Sequence, residues 1–196
     1  MSTVPTKANA VLLDAACDII ASKMNERLSW LDNAYGRCEK YVNAREVGSD
    51  EVYPAIYTGG RGKQEYLILL PDEGLRNFMF IDVDTNQDLG GEIGQVSIKC
   101  NISLIFWFDY REVYASDHEN RTIENVKYDI LKEINKGFTG VRFNYYSVQE
   151  SSKEIYSTFS TRIADSYYER EGLRSALLRP FGGLRFDGEL NYSQLC

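Results

Sequence analysis

The sequence predicts an α+β fold: an antiparallel β-sheet with one long central strand, flanked by an N-terminal helix and covered by a second helix. Three observations predict it. From Gln95 to Asp109 every second residue is apolar (Val96, Ile98, Cys100, Ile102, Leu104, Phe106, Phe108), a period of two that belongs to a strand. From about Lys7 to Trp30, the residues Val11, Leu12, Ala15, Ala16, Ile19, Ile20, Met24 and Leu28 recur at three and four positions, the stripe of an amphipathic helix. Between Ser116 and Lys136 a second helical face, Ile123, Val126, Ile130, Leu131 and Ile134, follows Ser116-Asp117-His118-Glu119, which has capping-box spacing.

The central strand sets further terms. Its alternate face begins with Gln95, Ser97, Lys99, Asn101 and Ser103 and then turns apolar at Ile105 and Trp107, so its far end must be covered on both sides. At ~3.4 Å per residue it runs roughly 45 Å, far beyond the usual strand, and is expected to project past a compact core.

The chain of 196 residues and 22.4 kDa can bury one good core. Its expected division is a helical region over 1–50 and an α+β domain over 51–196. With 22 Lys and Arg against 29 Asp and Glu the net charge is −7, which opposes nonspecific adsorption to a polyphosphate. Cys17, Cys38, Cys100 and Cys196 form no C-x-x-C pair and read as reduced thiols of a cytosolic product. Met1 to Ala10 lacks the pattern of an export signal, and no stretch approaches 18 uninterrupted apolar residues, so no membrane partner is expected.

In chain order, the helical pattern weakens from Ser29 to Val47, where Leu31, Tyr35, Cys38 and Tyr41 or Val42 permit a less regular helix, and Gly48-Ser49-Asp50 breaks it. Val52–Tyr57 reads as strand, Thr58 to Lys63 as a glycine-rich tip, and Glu65–Leu70 as the next strand. Pro71-Asp72-Glu73-Gly74 is turn chemistry, and the return strand spans about Arg76 to Val83. A polar loop, Asp84 to Gly94, then leads into the central strand. After the second helix, ended by Gly137, Val141–Val148 is an aromatic-rich strand, and 151–178 reads as a short helix followed by an irregular arm. Leu184, Phe186, Leu190 and Tyr192 alternate with polar residues in a last strand, which Gly182, Gly183 and Gly188 loosen enough for a bulge or the close approach of another chain.

The chemical motifs fail on inspection. Gly59-Gly60-Arg61-Gly62-Lys63 lacks P-loop spacing, carries Gln64 where a hydroxyl residue belongs, and precedes a strand where a helix is needed. Asp82, Asp84, Asn86 and Asp88 alternate like the first ligands of an EF-hand loop. Gln87 stands at the required glycine and Ile93 at the bidentate glutamate, so Asp82, Asp84 and Asp88 are weak candidate metal ligands and are expected to shape surface potential. His118 is the only histidine, which leaves a zinc site short of ligands, and no G-x-S-x-G elbow provides a nucleophile. No catalytic residue and no cofactor are expected. Tyr145, Tyr146, Tyr156, Tyr167 and Tyr168 are read as core or interface aromatics, because base stacking also requires a basic groove.

The element order over roughly 52–192, with Ile105-Phe106-Trp107-Phe108-Asp109 and Leu178-Arg179-Pro180-Phe181-Gly182-Gly183-Leu184-Arg185-Phe186-Asp187, resembles the tail-terminator and tail-completion proteins of bacteriophages. The N-terminal helical region and the 151–178 arm exceed the shorter members of that family. The resemblance implies a structural virion protein of the head–tail junction, assembled in the bacterial cytoplasm. It further implies a ring, hexameric or larger, that caps the tail tube or joins it to the neck, with portal-adaptor, neck or tail-tube proteins as neighbours and DNA only as passing cargo. Subunit contacts are expected at Trp107, Tyr156, Phe159, Tyr167, Tyr168 and Phe181. The other classes left open are a cation-dependent enzyme around Asp82, Asp84 and Asp88 and a host α+β interaction module.

Overall fold

The computed structural model describes residues 10–43, 51–58, 65–70, 75–150, 155–159 and 180–195. In chain order the elements are α1 (Leu12–Arg27), β1 (Asn33–Arg37), β2 (Glu39–Asn43), β3 (Glu51–Tyr57), β4 (Tyr66–Ile68), β5 (Phe78–Glu92), β6 (Gln95–Asp109), α2 (Tyr110–Tyr114), a 3-10 turn (Ala115–Asn120), α3 (Ile123–Ile134), β7 (Val141–Gln149) and β8 (Phe181–Leu195). The fold is α+β.

The alternating run is β6, with the bounds the period of two assigns it. It lies at the centre of a five-stranded sheet of order β1-β5-β6-β8-β7. It pairs antiparallel with β8 from Gln95↔Leu195 to Asp109↔Phe181, and with β5 from Glu92↔Gln95 to Phe78↔Trp107. The sheet is mixed where an antiparallel one was expected, because β1 lies parallel to β5. Strands β2, β3 and β4 form a separate antiparallel sheet.

Each face of β6 takes a different cover. Ile98, Cys100, Ile102, Leu104, Phe106 and Phe108 join Cys17, Ile20 and Met24 of α1 and Val126, Ile130 and Ile134 of α3 in one core. Both helices therefore pack on the same side of the sheet. On the opposite side, Ile105 and Trp107 join Phe78, Phe80, Leu69, Ile155 and Phe159 in a second core, against which Val52, Tyr53 and Ile56 of the small sheet pack. That second core is the cover which the apolar turn at Ile105 and Trp107 requires.

Four expectations are corrected. The weak helix after Ser29 is β1 and β2 instead; Ala34, Tyr35 and Gly36 are all buried, and a Cβ on Gly36 would meet Asp18 Oδ1 of α1 at 2.4 Å. Because β2 pairs with β3 and β1 with β5, strands on either side of position 50 share sheets. The polar loop from Asp84 to Gly94 is the outer half of β5, which continues to Glu92 past an irregularity between Val83 and Gln87 and turns at Gly94 (φ +85°). Solvent on both faces removes the apolar alternation there, and backbone pairing to β6 alone marks the strand. Ser116-Asp117-His118-Glu119 lies in the 3-10 turn; α3 begins after Thr122, whose backbone N–H donates to Asn125 Oδ1 at 2.8 Å.

The glycines of β8 serve its own sheet. A Cβ at Gly182 would meet the Phe108 ring at 2.7 Å, and one at Gly188 would meet the Phe143 ring at 2.4 Å. The close approach is thus made by neighbouring strands of this chain, and the irregularity falls in β7, between Tyr145 and Ser147. Pro71–Gly74, Gly59–Lys63 and most of the 151–178 arm lie outside the described residues.

Phe106 is fully buried and meets Phe186 edge-on, ring centroids 5.7 Å apart. Phe106→Ala should lower the unfolding free energy measured in urea by about 3–5 kcal/mol, and Phe106→Asp should leave no soluble folded protein. Stability unchanged from wild type in either variant would contradict the placement of β6.

Candidate functional site

The face of the sheet away from the helices carries a polar row across the strands. Asp82 on β5, Ser103 on β6 and Asp187 on β8 stand in register, and Arg185 and Gln149 are paired one step along. Ser103 Oγ donates to Asp187 Oδ1 at 2.6 Å and accepts from Arg185 Nη2 at 2.8 Å, while Arg185 Nε donates to Asp187 Oδ1 at 2.7 Å. Gln149 Nε2 donates to Asp187 Oδ2 at 3.1 Å. Arg185 Nη1 also reaches the Ile155 carbonyl at 3.3 Å and Thr158 Oγ at 3.4 Å, and Thr158 Oγ donates to Asp82 Oδ2. Lys40 Nζ stands 4.0 Å from Asp82 Oδ1.

Asp82, Ser103 and Arg185 are buried. Two cations therefore face two carboxylates, and each charge holds hydrogen bonds or an ion pair within the cluster. A fixed planar guanidinium serves this role better than a mobile ammonium, because one group reaches several acceptors at once. The consequence is mechanical: Arg185 ties Ile155–Phe159 down over the sheet and closes the second core. The cluster is a latch, in which the Ser103 hydroxyl is buried and the Thr158 hydroxyl is engaged with Asp82.

The weak metal candidates do not converge. Asp82 belongs to the latch and so departs from the expected surface role, whereas Asp84 and Asp88 are exposed on the outer half of β5. Asp84 Oδ1 accepts from the Asn86 backbone N–H at 3.4 Å within the irregular stretch. Among the described residues no group of three or more His, Cys, Asp or Glu side chains is placed to hold a metal ion. His118 Nδ1–H donates to the Ala115 carbonyl at 2.6 Å, a contact local to its turn. Burial pushes the Cys17 and Cys38 thiols far above their ordinary range and the Cys100 thiol up to about 11, so all three stay protonated near neutral pH and are poor nucleophiles.

The aromatics expected at subunit contacts are engaged within the chain where they are described. Trp107, Tyr156 and Phe159 are buried in the second core. Phe181 stacks on Trp107 with centroids 5.7 Å apart, and the Arg111 guanidinium lies 5.6 Å from the Phe181 ring. Tyr167 and Tyr168 lie outside the described residues. Among the described residues the exposed aromatics are elsewhere and include Tyr145 and Tyr146 on β7.

Sequence reasoning missed Asn77, which is 1% exposed just before β5. Its side-chain amide donates to Asp32 Oδ2 at 3.1 Å and to Glu112 Oε2 at 2.7 Å, and its Oδ1 accepts from the Asp109 backbone N–H at 2.7 Å. One side chain thus joins the start of β1, the end of β6 and α2; a lone Asn before an apolar run gives no pattern that announces this.

What remains open is backbone. Strand β1 reaches β5 only as far as Ile81, so among the described residues no strand pairs with the outer edge of β5 from Asp84 to Glu92. Strand β7 closes the other side of the sheet, and its outer edge is likewise unpaired among the described residues. Between the two edges an open groove of about 600 Å³ crosses the strands from Leu89 to Arg142. Unpaired N–H and C=O groups along both edges are sites for strand addition.

Arg185→Ala leaves the largely enclosed Asp187 carboxylate without its cation and Ser103 and Thr158 without their donor, and should lower the unfolding free energy by about 3–5 kcal/mol. Asp84→Asn and Asp88→Asn should leave the melting temperature unchanged. A mild Arg185 effect beside a large effect at Asp84 or Asp88 in thermal denaturation would reverse this assignment.

No protein-family model matches the chain, and no curated protein matches it.

Proposed function

We propose that this chain is a noncatalytic structural protein of a bacteriophage head–tail junction, the subunit of a homo-oligomeric ring, hexameric or larger, that terminates the tail or joins it to the neck. The observation that carries the reading is the three-stranded arm of β5, β6 and β8, whose sheet ends in two unlike open edges, β5 on one side and β7 on the other. Unlike edges suit head-to-tail closure, in which every subunit has two partners and no edge is left for uncontrolled addition. The likeness of 105–109 and 178–187 to tail-terminator and tail-completion proteins supplies the biological setting.

Chemistry supports the same reading. The members of the polar cluster are bonded to one another, the described thiols are protonated, and no group of three or more described His, Cys, Asp or Glu side chains is placed to hold a metal ion, which suits a structural role. A net charge of −7 suits a passage through which DNA slides without sticking. The neighbours in this reading are tail-tube, neck or portal-adaptor proteins, and its station is the virion.

Disrupting the gene in the phage that encodes it should leave filled heads and unjoined or overlong tails in lysates viewed by electron microscopy, with infectivity restored by the wild-type chain in trans. Normal, infectious virions lacking the protein would refute the proposal.

A further inference from the structure

We infer that neighbouring copies of this chain join by pairing the outer half of β5 of one subunit with β7 of the next, so that the five-stranded sheet continues from subunit to subunit. The inference rests on the ring reading and adds to it the surface, the register and the orientation.

Strand direction comes first. Strand β6 is antiparallel to both β5 and β8, and β7 is antiparallel to β8, so β5 and β7 run in opposite directions. Two subunits set side by side in the same orientation therefore bring β5 and β7 together antiparallel, and the alternation of directions passes across the junction unbroken. Strands already twisted into one sheet then extend it at the ordinary spacing of ~4.8 Å.

Charge selects this pairing over pairing of like edges. From Asp84 to Glu92 the β5 edge carries Asp84, Asp88 and Glu92 and no basic residue, while β7 carries Arg142 and no acidic one. Meeting of β5 with its own copy would set carboxylates against carboxylates. Meeting of β5 with β7 does not.

Side-chain facing selects the register. Leu89 pairs with Ile98, which faces the helices; Tyr145 pairs with Gly188 on the same side, following Phe143 and Val141, whose partners Leu190 and Tyr192 alternate with it. Leu89 is 68% exposed and Tyr145 37%, an apolar pair that pairing across the junction would cover. Placing Leu89 opposite Tyr145 of the next subunit sets Gly91 opposite Phe143 and Glu92 opposite Arg142. The glycine leaves room beside the phenylalanine ring, and the acid meets the base on the opposite face. A shift by one residue would turn Leu89 and Tyr145 to opposite faces.

Cross-linking tests this directly. Within one chain, positions 89 and 145 are separated by β6 and β8, about 14 Å across three strand spacings, and also by four residues along β7, since Leu89 stands in register with Val141; both offsets put them beyond the span of a disulfide. In a Cys196→Ser background, the double variant Leu89→Cys with Tyr145→Cys should form a ladder of covalent multimers under mild oxidation, ending at the full ring, while each single variant stays at the mass of one chain. Glu92→Arg and Arg142→Glu should each weaken assembly about fivefold, and the two together should restore it. Rings that form without the cross-link and ignore both charge reversals would overturn this interface and leave the ring reading standing. Dimers of the Leu89→Cys single variant would show that β5 meets β5, and overturn it as well. A wild-type chain that stays monomeric at every concentration would overturn both.

Discussion

Strand β6 is paired along its whole length with β8 and along most of it with β5, and it faces two different environments; that double constraint governs the rest of the molecule. Because each residue of β6 has a partner on β8, and nearly all have one on β5, its register is fixed by neighbours on both sides. A slip of one residue would turn Phe106 and Phe108 out of the first core and bring Asp109 and Trp107 in. The helices can therefore cover only one face, and the other must be closed by separate means. The small sheet and the Ile155–Phe159 segment do so at one end, and nothing described does so at the other.

The transition between those two ends is chemical as well as geometric. The latch sits where the face passes from Ile105 and Trp107 to Ser103 and then to Asn101 and Lys99. Arg185, Ser103 and Asp82 are buried at that border, where water cannot supply their hydrogen bonds and the protein must. Further out the pairs become solvated: Lys99 Nζ reaches Glu189 Oε2 at 2.8 Å on the surface, which draws the lysine pKa up and the glutamate pKa down without much consequence for stability. Dry core, buried ion cluster and wet arm follow one another along a single strand.

That gradient also explains what the sequence disclosed. The run from Gln95 to Asp109 was legible to the residue because one face is apolar throughout, and β7 and β8 were legible where they meet the core. The outer half of β5 was not, since a strand wet on both faces has no apolar period, and Thr85, Asn86 and Gln87 read as loop. Strands β1 and β2 were mistaken for weak helix because Leu31, Tyr35 and Cys38 happen to fall three and four apart, although Leu31 is buried in the core with α1 and Tyr35 and Cys38 in the second core on the other face of the sheet. The capping box was misplaced because Ser116 and Glu119 match the template while Thr122 and Asn125, which cap α3, depart from it at the last position. Of the candidate contact residues, Trp107, Tyr156 and Phe159 were visible as unusual aromatics, but sequence could not say whether their partners lie in the same chain. The latch was invisible for the same reason: Asp82, Ser103, Thr158 and Arg185 are far apart in sequence and meet only when the register of the sheet is known.

Among the described residues the sheet ends in edges without a strand partner, and the proposed closed ring of identical subunits would pair them. Mass determination by multi-angle light scattering, with negative-stain imaging of the same sample, tests this most directly. The account predicts a single species of six or more 22.4 kDa chains in ring-shaped particles; a monodisperse monomer that persists at high concentration would contradict it.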